Sequence, residues 1–265
     1  MIAALQMYDW PEVHPRIDAF WALVYKHLKQ AGINAPATLS RLDPISQGWT
    51  KPNLLLGQTC GLPYVSGRCG DAVLVAQPVF DVEGAMDGTY SSALVCRIYD
   101  PANGLSGFRG RIAAINEFGS QSGCNALADA VLEVHADPSR PFFTEVRLSE
   151  AHRNSATMVA KGQADIAAID AVAWALYAET EPENHAKLRV LSWTRPMPAL
   201  PYITASQYRD HVPVLFESLQ KAASEHALAT LPVGMKRIVD ADYDPIRKMA
   251  DRVRSLQLAT DAPKL

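Results

Sequence analysis

The sequence has no basic patch, no bilayer-length apolar run and few cysteines, and each absence removes a class of function. Lys and Arg number 25 against 28 Asp and Glu, a net charge of −3 with no cluster of one sign. Nucleic acid is therefore not an expected partner, since affinity for it rests on concentrated positive charge. The longest apolar stretch, Ile166 to Ala178, is interrupted by Asp170 and falls short of the roughly 20 residues a membrane span needs. Met1-Ile2-Ala3-Ala4-Leu5 has no basic flank, no long apolar core and no cleavage site, so the chain as written carries no signal peptide. That makes the expected compartment cytoplasmic as written, or periplasmic if a leader has been removed.

Further absences narrow the chemistry. The cysteines are Cys60, Cys69, Cys96 and Cys124, in a spacing that fits no zinc pattern, and the seven histidines are scattered. No metal is expected. The thiols read as buried or idle, with a Cys60–Cys69 bridge left open for an exported protein. There is no Walker loop and no Gly-x-Gly-x-x-Gly, so neither a nucleotide nor another cofactor is expected. Gly119 to Gly123 has Gln121 at its centre where a nucleophile elbow needs serine.

What is present is an alternation of strands and helices in 265 residues, 48% of them hydrophobic. Val13, Ile17, Phe20, Val24 and Leu28 recur at helical spacing, which predicts a helix over 11–30. Strands are predicted over 2–6, 38–42, 53–58, 72–80 and 90–98. After Asp100 the pattern restarts, with strands over 111–115, 142–148, 165–169 and 188–193 and helices over 123–135, 149–161 and 170–179. The proline-rich passage Arg195 to Pro201 reads as a crossover. A strand over 202–205 and helices over 212–227 and 245–256 follow. This order predicts an α/β fold with mostly parallel sheets and two lobes, the second inserted into the first. The first lobe is assigned 1–97 and 198–265, the second 98–197, with hinges near 95–100 and 193–201.

Ligands in open α/β sheets bind beyond the carboxyl ends of the strands, and polar clusters fall at such ends. The central one is Gly119 to Asn125, where two serines, two carboxamides and two glycines stand between a strand and a helix. Free amides, the helix dipole and hydroxyls there make an anion seat. An ordinary N-cap uses the same residue types, so both readings stand. His152 lies in the first turn of the helix after Ser149. It reads either as a hydrogen-bonding partner of the anion or as a surface residue. Asp170 reads as a ligand contact or as a cap. Tyr8, Asp9, Gln58, Thr59, Tyr90 and Ser91 sit at other strand ends and are candidate walls. Asp9 is also a candidate for a ligand ammonium group, or a cap for the helix after Pro11.

Several phrases together resemble the phosphonate- and phosphate-type substrate-binding components of ABC importers, within the type II periplasmic-binding-protein fold. They are Phe108 to Ala113 followed by Ser120-Gln121-Ser122-Gly123, Tyr90 to Val95, Ala160 to Asp170, and Leu188 to Thr194. The likeness spans roughly 50–205. It implies a solute-binding protein, not an enzyme, that closes its lobes over a small anion and has a transporter permease as its possible partner. It also implies that Ser120, Ser122 and Gly123 hold the oxyanion, with His152 and Tyr90 beside it and Tyr8, Asp9, Gln58 and Thr59 on the first-lobe wall. Gln121 replaces the family's threonine, which leaves room for a carboxylate in place of a phosphonate. Two alternatives remain. One is a small lyase or dehydratase acting on a carboxylated substrate, with His152, Asp9 or a cleft cysteine (Cys60 or Cys124) supplying acid-base or nucleophilic work. The other is a ligand-sensing domain for a partner protein.

Overall fold

Apolar side chains at helical spacing decide the first long element. In the computed structural model, which describes residues 1–260 and 262–263, the helix His14–Gln30 buries Ile17, Phe20, Trp21, Val24 and Leu28. It packs against the helix Val212–Ser224, whose Leu215, Leu219 and Ala222 are fully buried. Each large side chain removed from water contributes about 1.5–3 kcal/mol. These helices belong to the first of two compact units, formed by 1–82, 86–89 and 198–244. Its sheet has the strand order Ile2–Ala4, Leu54–Gln58, Tyr202–Thr204, Val73–Val79, Gly234–Lys236. The strand Leu54–Gln58 is buried along its whole length, as its run of leucines requires.

The second unit comprises 83–85, 90–197 and the chain from 245 onward. Its sheet has the order Leu188–Trp193, Ser92–Arg97, Ile166–Asp170, Ile112–Ile115, Glu145–Leu148. Its core is lined by Ala93 to Cys96, Ala113 to Ile115 and Ile166 to Ile169, all at most 1% exposed. The helices Ala126–Val134, His152–Ala160 and Ala171–Thr180 each follow one of its strands.

Both sheets are mixed. In the first, Ile2–Ala4 pairs parallel with Leu54–Gln58, while Tyr202–Thr204 and Gly234–Lys236 run against their neighbours. In the second, only Ser92–Arg97 opposes the other four. The alternation of strand and helix set the common direction. Two of the strands that reverse it, Ser92–Arg97 and Tyr202–Thr204, are those where the chain enters or re-enters a unit.

Three local differences from the sequence reading have physical causes. The stretch 38–42 is not a strand. Ser40 N donates to Ala3 O at 2.7 Å, but at Leu42 the Gln6 carboxamide takes both backbone groups, at 2.7 Å each, in place of a strand partner. The strand Ser92–Arg97, read as part of the first lobe, is an inner strand of the second sheet, with Ser92 opposite Asp170. The helix after Asp244 likewise joins the second unit, where Ile246, Met249 and Val253 are buried. An apolar stripe says that a segment is covered, not by which sheet.

Candidate functional site

Three parallel strands of the second unit end side by side, and each hands over to a helix. The first two ends are tied by their backbones. Ser149 N donates to Ile115 O at 2.9 Å and Glu150 N to Asn116 O at 3.0 Å. The loop after Ile112–Ile115 leads to Ser120, which is extended (φ −91°, ψ 130°) and accepts from Gly123 N through its Oγ at 3.1 Å. The helix then opens with a π turn over Gln121–Asn125, in which Asn125 N reaches Ser120 O at 3.0 Å. Such turns cluster at functional sites, because the wider ring re-aims side chains and amides. The amides of Gln121 and Ser122 precede any intrahelical acceptor.

Ser122 is 4% exposed, and its Oγ lies 2.7 Å from His152 Nε2, on the first residue of the neighbouring helix. Burial pushes the His152 imidazole down to about 4, against a weaker opposing pull from the Ala168 carbonyl. The ring is therefore neutral at pH 7. Its Nδ1 is buried and closes no hydrogen bond of standard geometry. Gly123 is where the helix comes nearest its surroundings. A Cβ there would overlap Asn116 Oδ1 and stand 3.2 Å from His152 Cε1. Asn116 Oδ1 is itself buried without a partner.

The structure thus brings Ser120, Ser122, Gly123 and His152 together and adds Asn116, which the sequence reading missed. Its only signal was a polar residue directly after a buried strand. Gln121 behaves differently. It is fully buried and its Nε2 points to Met249 Sδ on the C-terminal helix at 2.9 Å, while Oε1 has no partner. Asp170 caps the helix Ala171–Thr180, accepting from Val172 N at 2.8 Å and Ala173 N at 3.1 Å. Asp170→Ala is expected to lower stability by about 1–2 kcal/mol, seen as an earlier denaturant midpoint, with ligand affinity unchanged. A change in affinity at unchanged stability would make Asp170 a ligand contact. Tyr90 and Ser91 are buried in this unit beside that cap, where Ser91 O accepts from Ala171 N at 3.2 Å.

The other candidates lie in the first unit. Tyr8 and Gln58 line a cavity of about 20 Å³ with Phe80, Tyr202 and Thr230, room for one water molecule. Tyr202 was not singled out from sequence, although it too stands at the edge of a strand. Asp9 is committed to Arg41, with contacts of 2.7 and 3.2 Å, and its side chain is 1% exposed. Thr59 is fully buried, donating to Cys60 O and accepting from Cys69 Sγ.

The four cysteines are free and buried. Burial, with Glu117 adding to it, pushes the Cys124 thiol up to about 12, so it is not a thiolate at neutral pH. His152 Nε2 is engaged by Ser122. Among the described residues no group of three or more His, Cys, Asp or Glu is arranged to hold a metal ion, and no helix is long and apolar enough to cross a membrane.

Two α/β units whose parallel strands hand over to helices at their carboxyl ends are the architecture of the type II periplasmic-binding-protein class. Residues 55–244 match the family described as ABC transporter, phosphonate, periplasmic substrate-binding protein. The chain belongs to that family, whose members are substrate-binding components and not enzymes. No curated protein is a significant sequence match. Among solved structures, a binding protein component of an ABC phosphonate transporter from Pseudomonas aeruginosa is similar, with TM-score 0.72 and 16% identity over 96% of this chain and 87% of that one. The PhnD1 protein of Prochlorococcus marinus in complex with methylphosphonate has TM-score 0.73 and 14% identity, covering 96% of this chain and 98% of that one. The aliphatic sulphonate binding protein SsuA of Escherichia coli has TM-score 0.59 and 14% identity, covering 94% and 92%.

Proposed function

We propose that this solute-binding protein captures a small tetrahedral oxyanion of the phosphonate type at Ser120–Gly123 and delivers it to a transporter permease. The observation that carries the reading is the seat itself. Serine hydroxyls, unpaired first-turn amides and a glycine without a Cβ converge where the helix dipole favours negative charge. His152 supports the seat from the next helix through Ser122. Tyr90 and Ser91, in the same unit as the seat, are further candidate contacts. Asp9 and Thr59 are better explained by the structural partners they already have. Gln121, aimed at Met249, supports the seat from behind and does not stand in for the family's threonine hydroxyl. The hydroxyl donor of that threonine is therefore missing from the seat, and a carboxylate remains the alternative ligand.

The test is a thermal-shift screen with phosphate, methylphosphonate, methanesulfonate and acetate. A ligand at a hundred times its Kd raises stability by about 2.7 kcal/mol. Ser122→Ala is expected to weaken the best binder about tenfold, the effect of one hydrogen bond to a charged group, without lowering the melting temperature of the free protein by more than a few degrees. If no small oxyanion shifts the wild-type transition, the proposal fails.

A further inference from the structure

The helix that opens at the seat is gripped at two levels by a helix from the far end of the chain. At the first level, Gln121 Nε2 in the π turn points to Met249 Sδ at 2.9 Å. Gln121 is fully buried and Met249 nearly so, which keeps bulk water away from the contact. At the second level, Asp129 and Glu133, one turn apart on the helix Ala126–Val134, share Arg252. Arg252 Nη1 donates to Asp129 Oδ1 at 2.7 Å and Nη2 to Glu133 Oε1 at 2.5 Å. Arg195, just past the strand Leu188–Trp193, reaches the same two carboxylates at 3.3 and 3.1 Å. Met249 and Arg252 are three residues apart on the last helix, a spacing that puts them on one face. All of these residues belong to the second unit.

Core packing does not hold the seat helix on every side. Leu127 and Val131 anchor one face. Another borders a cavity of about 300 Å³, which Ala130 and Val134 line together with Leu94 and Leu105. Side chains beside a void forfeit dispersion contacts there. What keeps the helix from rocking about its anchored face is the set of directional contacts to Met249 and Arg252. A buried carboxamide against a thioether is a poor choice for stability alone. An apolar residue would avoid the unpartnered Gln121 Oε1. Resting on the proposed anion seat, we infer that Met249 and Arg252 are positioning residues for it. The last helix fixes the turn Gln121–Asn125, so that the amides and hydroxyls there keep the aim an oxyanion needs. Both side chains act through Gln121, Asp129 and Glu133, not on the ligand.

Two variants separate positioning from general stability. Met249→Leu conserves volume but leaves the buried Gln121 amide without its acceptor. Arg252→Gln removes the charge from a side chain that is 40% exposed, a change the fold tolerates. Isothermal titration calorimetry on the full chain, with methylphosphonate as probe, is expected to show binding about tenfold weaker in the first and about threefold weaker in the second. The Gly123 and Asn125 amides, which close on Ser120, report the order of the turn in the ligand-free proteins. Their hydrogen exchange is expected to quicken about fivefold or more in both variants, while the amides of the strand Ile166–Asp170 exchange as in the wild type. A general loss of stability would quicken both sets alike, and that result overturns the inference. Wild-type affinity in both variants overturns it too and leaves the anion seat standing. If neither methylphosphonate nor phosphate binds the wild type, the seat reading fails and the exchange comparison alone decides the bracing. Unchanged exchange at Gly123 in both variants then overturns it.

Discussion

Gly123→Ala is expected to abolish binding at the seat and to cost about 1–3 kcal/mol of stability, the range for overpacking a tight interior site. The added Cβ would overlap Asn116 Oδ1, stand 2.9 Å from Asn116 Cγ and approach His152 Cε1 to 3.2 Å. Asn116 has little room to yield. Its backbone carbonyl is fastened by Glu150 N at 3.0 Å, and its Oδ1 is already enclosed. Relief requires the carboxamide to rotate or the π turn to shift, and a shift of the turn, which carries Ser122, pulls it away from His152. Denaturation with and without methylphosphonate reads both effects. The double variant Asn116→Ala/Gly123→Ala removes the obstacle and should recover most of the lost stability. If it does not, the crowding account is wrong and the glycine matters for another reason.

Much of this arrangement was legible in the chain, and the limits have a common cause. Periodicity located the long helices because Ile17, Phe20, Val24 and Leu28 lie on one stripe, and all are buried. The strand-to-helix hand-over at Ser120 was visible because serine and glycine punctuate a short apolar run. What periodicity does not encode is which sheet receives a strand. Ser92–Arg97 and the helix from Pro245 were therefore read into the first lobe, while the structure pairs or packs both within the second unit. The 38–42 stretch has strand-like residues, but the Gln6 carboxamide replaces the strand partner. Composition gives no warning of such a substitution.

The candidate site divides in the same way. Residue type and position named Ser120, Ser122, Gly123 and His152, and geometry brings these together. The same criteria named Asp9, Thr59 and Asp170, each already satisfied within its own unit, by Arg41, by Cys60 and Cys69, and by the amides of Val172 and Ala173. A polar residue at a strand end is equally useful to a ligand and to a helix start. Only the direction of its side chain separates the two, and direction depends on neighbours distant in sequence. Gln121 shows this most plainly, because its partner Met249 is 128 residues away.

Acid is expected to destabilise the protein through His152, and that effect isolates the buried ring in solution. Burial lowers its pKa from 6.5 to about 4, so in the unfolded chain the ring takes up a proton at a pH where the folded protein still refuses it. The stabilisation is therefore fully present above about pH 6.5. It is lost progressively as pH falls toward 4, where the loss amounts to roughly 3 kcal/mol. His185 and His226 are also pushed down by burial and add a slope of the same sign. The wild-type curve alone is thus not diagnostic. The difference between wild type and His152→Phe is, because only the ring of residue 152 is removed. Urea midpoints for both proteins between pH 7.5 and 4 should diverge steadily below about 6.5, with the wild type losing the more stability. Parallel curves would mean that His152 accepts its proton as readily in the folded state as in the unfolded chain, which would place a positive charge beside Ser122.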